Sequence, residues 1–198
     1  MEPTLASLRT LVRQTVTDPR AGARQLMTLG LPVQARWTGL ILVAVISALL
    51  FYAGLPPSAI ERAAEQEIAV PLVFRSPFVT AGVQTAVMVV MAFAVWWVGM
   101  RFGGRGRFED GLLLVVWLQF VLVCVQLVQL LAAVLVPPLA GLIGLAALVL
   151  FLWLLTNFVA ELHGFDSLGK VFFGIMLTAF AIAFGLAVVM SFIGAPGV

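Results

Sequence analysis

Five stretches of this chain run for 19–25 residues without one charged side chain: residues 37–55, 78–100, 112–136, 139–157 and 171–193. A helix rising ~1.5 Å per residue needs about 20 such residues to cross a ~30 Å hydrocarbon core. Each stretch therefore predicts one transmembrane helix. Only Pro137-Pro138 separates the third from the fourth, and a proline pair that cannot extend a helix marks a tight hairpin between two spans. The composition agrees with lipid as the solvent: 63% of residues are apolar and 10% charged, where soluble domains run about 45–50% and about 25%. The predicted fold class is an all-α integral membrane protein. An amphipathic arm (residues 1–36) precedes a five-span membrane domain (residues 37–198).

Charge placement predicts orientation. Arg9, Arg13, Arg20, Arg24 and Arg36 precede the first span, Arg101, Arg105 and Arg107 lie between the second and third, and Lys170 lies between the fourth and fifth. Only Arg62 and Arg75 fall on the other side. The positive-inside rule then puts the N-terminus in the cytoplasm and the C-terminus outside. The first 36 residues hold five arginines and no continuous apolar core, so no cleavable signal peptide is expected. Trp37, Trp96, Trp97 and Trp153 fall near cytoplasmic span ends and read as interfacial anchors.

Two extramembrane pieces carry helical patterns. In the arm, Leu5, Leu8, Val12 and Val16 recur at helical spacing with Arg9 and Arg13 off that stripe. A second helix starts at Asp18-Pro19, an N-cap acid before a first-turn proline, and stops at Gly30. Both are expected to lie on the inner membrane surface, apolar side down, with Arg9, Arg13, Arg20 and Arg24 meeting lipid headgroups. Docking on a partner protein is the alternative. In the loop after the first span, Ser58 and Glu61 match a capping box, and Pro71 ends the helix they start.

Function inside a membrane is sought first among polar side chains, because each costs free energy unless it faces protein or water. In the third span Gln119, Gln126 and Gln129 project within about 80° of one another at 100° per residue. Interhelical hydrogen bonding, with Gln84 and Asn157 as candidate partners, is preferred over a permeation path. A transporter normally carries an ionisable coupling residue at mid-membrane, and these spans have none. In the fifth span Gly174, Thr178, Ala181 and Gly185 stack on one narrow face that admits a close helix, and Ala179, Ala183 and Ala187 make a second. That span is expected to be wedged between neighbours.

Catalytic and metal chemistry find little support. The single cysteine, Cys124, excludes an internal disulfide and cysteine-clustered metal sites. Ser47 and Ser191 have no base on any span. Glu161, His163 and Asp166 form the one concentration of titratable groups, and they read as a solvated loop broken by Gly164. No cofactor, metal or nucleic acid is expected. The turn Gly103-Gly104-Arg105-Gly106-Arg107-Phe108 lacks the strand and lysine of a phosphate loop, so Arg105 and Arg107 read as headgroup-binding residues on a flexible turn.

The layout resembles bacterial members of the Yip family (Ypt-interacting-protein domain) over residues 18–193. The resemblance rests on the N-terminal arm, five spans, the Gly-Gly-Arg-Gly-Arg-Phe turn into the third span, and the Glu161-Leu162-His163-Gly164 turn leading through Lys170 into the fifth. Eukaryotic relatives act in vesicle trafficking and bind Rab-type GTPases through a cytosolic N-terminal region, with an Asp-Leu-Tyr-Gly-Pro motif. This chain has no such motif, and its only tyrosine is Tyr52 inside the first span. GTPase binding is therefore not implied. The resemblance implies a non-enzymatic scaffold, organiser or accessory subunit that contacts lipids and other membrane proteins or further copies of itself. A bacterial inner membrane fits the preference for arginine over lysine. A small channel lined by the third-span glutamines is the alternative.

The topology is directly testable. A reporter fused after Val198 should be active only if it is a type that works outside the cytoplasm; activity of a cytoplasm-only reporter there would overturn the odd span count.

Overall fold

The computed structural model describes residues 5–55 and 76–193, and these are helical apart from short turns. Two short helices, α1 (Leu5–Thr17) and α2 (Pro19–Thr28), lead into five long ones: α3 (Val33–Gly54), α4 (Pro77–Arg101), α5 (Phe108–Leu135), α6 (Pro137–His163) and α7 (Leu168–Ile193). All five long helices are long and apolar enough to cross a membrane. The helix expected between Ser58 and Pro71 lies outside the described residues.

Local chemistry sets the boundaries. The Asp18 carboxylate accepts from the Ala21 N–H at 3.0 Å and caps α2, whose first residue is Pro19. The helix ends at Thr28, two residues short of Gly30. Pro77 and Pro137 each open a helix, where the missing N–H costs nothing. Val136 closes α5 and opens α6, so the expected Pro137-Pro138 hairpin turns on one residue.

Both α5, at 28 residues, and α6, at 27, outrun the apolar stretches that predicted them. At ~1.5 Å per residue each is about 40 Å long, roughly 10 Å more than the hydrocarbon core. The surplus lies at the end carrying Glu109, Asp110, Glu161 and His163, here called the basic end for its many arginines.

α5 is the axis of the bundle. One apolar cluster joins Leu112 and Val115 of α5 to Leu40, Val43 and Ala44 of α3 and to Met88 and Ala92 of α4. On the opposite side Leu114, Leu118 and Val121 pack with Leu154, Leu155 and Phe158 of α6 and with Ala23 and Leu26 of α2. Two runs are buried without interruption, Gly111–Val115 and Leu154–Ala160, which a helix permits only when neighbours surround it. Both runs lie toward the basic end, where α2 supplies the extra neighbour. Toward the other end Val134, Leu135, Leu142 and Leu145 are exposed. The helices are thus tightly packed at one end and splayed at the other.

That arrangement corrects the placement of the arm. The apolar side of α2 is turned onto protein: Ala23 and Leu26 are buried against the spans and Gly22 against Thr15 of α1. α7 differs from expectation too. Among the described residues it packs chiefly on α6, and a methyl group placed on Gly174 or Gly185 would meet none of them within 4 Å. Among the described residues of this chain it is peripheral.

The third-span amides are spent on interhelical bonds. The Ser47 hydroxyl of α3 donates to Gln126 Oε1 at 3.1 Å and accepts from Gln119 Nε2 at 3.2 Å, while Gln126 Nε2 donates to the Ser47 carbonyl at 3.2 Å. Gln129 Nε2 donates to the Ala140 carbonyl across the hairpin at 3.2 Å. The partners are therefore Ser47 and a backbone carbonyl, not Gln84 and Asn157; Asn157 donates to Trp153 of its own helix at 2.8 Å. Bonds of this kind contribute ~0.6 kcal/mol each on average. Gln126→Leu, which removes two of them, should lower stability by about 1 kcal/mol in detergent unfolding, and Ser47→Ala should add little on top of it.

Candidate functional site at the basic end

The titratable residues at the basic end do not form a solvated loop. α6 continues through Glu161 to His163 and stops at Gly164, whose φ of 72° is the left-handed conformation a helix C-terminus needs and glycine adopts freely. His163 is only 3% exposed. The Gly106 N–H donates to its Nδ1 at 3.3 Å, so the ring proton sits on Nε2, which donates to the Val95 carbonyl at 3.1 Å. Phe165 stacks on the ring at a centroid distance of 5.5 Å.

This seat exists because two glycines leave it open. A Cβ on Gly99 of α4 or on Gly104 of the following turn would overlap the imidazole. Gly106 is also buried, against Leu162 and His163. The glycine-rich turn is thus not simply flexible; Gly104, Gly106 and the Gly106 amide are committed to the histidine, while Gly103 takes the left-handed conformation (φ 84°) at the surface. Both ring nitrogens are paired with backbone, so His163 joins α4, α6 and the turn and has no free nitrogen for acid–base work.

Around this junction the charged side chains tie the arm and spans together. Arg20 of α2 donates to the Phe165 carbonyl at 2.6 Å, and Arg24 pairs with Glu161 at 3.0 Å. Both were expected at lipid headgroups, yet Arg20 binds the turn between α6 and α7, and Arg24 binds a carboxylate of α6. Arg36, 8% exposed, bonds to Asp110 at 3.0 Å and to the Leu31 carbonyl at 3.0 Å, joining the first turns of α3 and α5. Arg9, Arg13, Arg105 and Arg107 are exposed; Arg107 lies 3.6 Å from Glu109.

Among the interfacial tryptophans, Trp97 carries Arg101 over its ring at 4.8 Å and Trp96 packs edge-on against Phe108 at 5.9 Å. Sequence reasoning missed Trp117. Its Nε1–H donates to Thr15 Oγ1 at 2.9 Å, and Thr15 in turn donates to the Leu11 carbonyl at 2.8 Å. The available signal was an indole one to two turns inside the third span, where its N–H needs a partner. Glu161, His163 and Asp166 do not converge: the first faces Arg24, the second is buried between glycines, and Asp166 is exposed. No group of metal-binding side chains occurs among the described residues.

Residues 13–190 match the Yip1 domain. The chain belongs to the Yip1-domain family. The match takes in α2 and all five spans, so this Yip1 domain includes the docked arm as well as the membrane helices. No curated protein and no solved structure matches the chain.

The glycine seat yields a test. Gly99→Ala should destabilise the protein by ~1–3 kcal/mol, the usual cost of forcing extra atoms into a packed site, whereas Gly82→Ala, where nothing lies within 4 Å, should be neutral or mildly stabilising. In a His163→Ala background the Gly99→Ala penalty should shrink, and thermal unfolding of the four variants in detergent measures the coupling.

Proposed function

We propose that this Yip1-domain protein is a non-enzymatic scaffold or accessory subunit of a bacterial inner membrane, working through contacts with other integral membrane proteins. The observation that carries this reading is how its polar and apolar surfaces are divided. Gln119 and Gln126, the groups a permeation path would use, are turned onto Ser47. What the chain offers outward is α7, a span that among the described residues packs chiefly on α6 and bears the small-residue face Gly174, Thr178, Ala181 and Gly185.

In lipid, where apolar side chains gain nothing by leaving the acyl chains, helices associate through close van der Waals packing, and small residues allow the backbones to approach. The Thr178 hydroxyl is satisfied by the Gly174 carbonyl at 2.7 Å, so the face presents little polar surface to a neighbour. The occupant is another membrane protein or a further copy of this chain. Nine Lys and Arg against two support an N-in, C-out orientation, which places the α2 and His163 junction at the cytoplasmic end.

Gly185→Leu should leave the fold intact, because no atom of the described chain lies within 4 Å of the added Cβ, but it should strip away subunits that co-purify in mild detergent. Leu186→Phe, 61% exposed and about 100° round the same helix from Gly185, is the control. Equal retention of co-purifying subunits by both variants would reject α7 as the contact, and flux through reconstituted liposomes that Gln126→Leu abolishes would favour the channel.

A further inference from the structure

α1 presents an apolar stripe that the bundle covers along one edge only. Leu11 and Thr15 are buried against the protein, while Leu8 and Val16 on the other edge are 39% and 43% exposed. Arg9 and Arg13 are exposed within about 60° of Val16 at 100° per residue. Neither forms an ion pair with any described carboxylate, in contrast to Arg24 and Arg36.

The depth of α1 follows from its anchor. Thr15 is held by Trp117, which lies seven residues beyond Asp110, the last charged residue of α5. At ~1.5 Å per residue that is about 10 Å further along the helix, the depth to which an interfacial helix sinks its apolar face, ~5–10 Å below the headgroups. A helix end pinned beside an apolar stretch of the third span cannot stand in water. Its uncovered edge must meet something apolar next to something negative.

We propose that α1 is an interfacial helix, one edge docked on α5 and the other sunk into the adjoining leaflet, with Arg9 and Arg13 binding the phosphates of anionic lipid. The long aliphatic stems let the guanidinium groups rise to the headgroups while the helix stays at the acyl boundary. Guanidinium is suited to the site because its planar fork pairs with phosphate oxygens two at a time. α2 then belongs to the bundle, and α1 joins the bundle to the surrounding leaflet. This lipid contact is independent of any partner at α7.

The full chain, with Cys124 replaced by serine and an environment-sensitive fluorophore on Val16→Cys, tests this in vesicles of phosphatidylcholine alone or mixed with phosphatidylglycerol. A shallow spin-labelled lipid should quench the Val16→Cys probe strongly. A probe on Thr17→Cys, exposed but about 100° round the helix, should be quenched much less. Quenching at Val16→Cys should rise with phosphatidylglycerol. Arg9→Gln with Arg13→Gln should reduce that preference by roughly fivefold per arginine, and added salt should act in the same direction. Absence of quenching at Val16→Cys would place the edge against protein or water and overturn the lipid contact. Quenching indifferent to phosphatidylglycerol and to both arginine substitutions would overturn anionic-lipid binding.

Discussion

Close approach of backbones around one buried imidazole governs the basic end of this bundle. His163 fits only because Gly99 and Gly104 carry no side chain, and both ring nitrogens are paired with main chain from other segments. The ring fixes where α4 ends relative to α6. The turn that stacks Phe165 on it also presents the Phe165 carbonyl to Arg20. The seat of α2 on the spans depends on that chain of contacts, and the Arg24–Glu161 pair extends it. An exposed ion pair of this kind contributes little by itself. The buried runs in α5 and α6 beneath α2 supply the packing that the polar contacts align.

Away from that end the chain is held by different means. Hydrophobic burial drives little helix association in lipid, so interhelical amides and packing must locate α3 and α6 on α5. Ser47 with Gln119 and Gln126 fixes α3, and Gln129 fixes the hairpin to α6. Splaying beyond these contacts leaves α7, among the described residues, chiefly against α6.

The membership of the family and this division of labour fit together. The match to the Yip1 domain takes in α2 with the spans, and the docking of the arm through Thr15, Arg20 and Arg24 is consistent with that extent: without α2 the buried faces of α5 and α6 would be open.

The sequence by itself determined the five spans, the proline hairpin, the Asp18 cap and the family, because hydropathy, proline geometry and capping are local and can be read within a few turns of helix. It also identified Gln119 and Gln126 as bonding residues, since an amide in lipid must find a partner, although the partner Ser47 lies on another helix. The fate of the charged groups was decided by the tertiary structure. Arginines read as headgroup ligands became ties to Phe165 and Glu161, and an apparent solvated loop became a buried histidine, because a charge pattern along one chain does not reveal which backbone will pack beside it. The glycines of the turn are the clearest case. In sequence they signal flexibility, and only the folded bundle shows that the missing side chains of Gly104 and Gly106 make room for a ring 57 or more residues away.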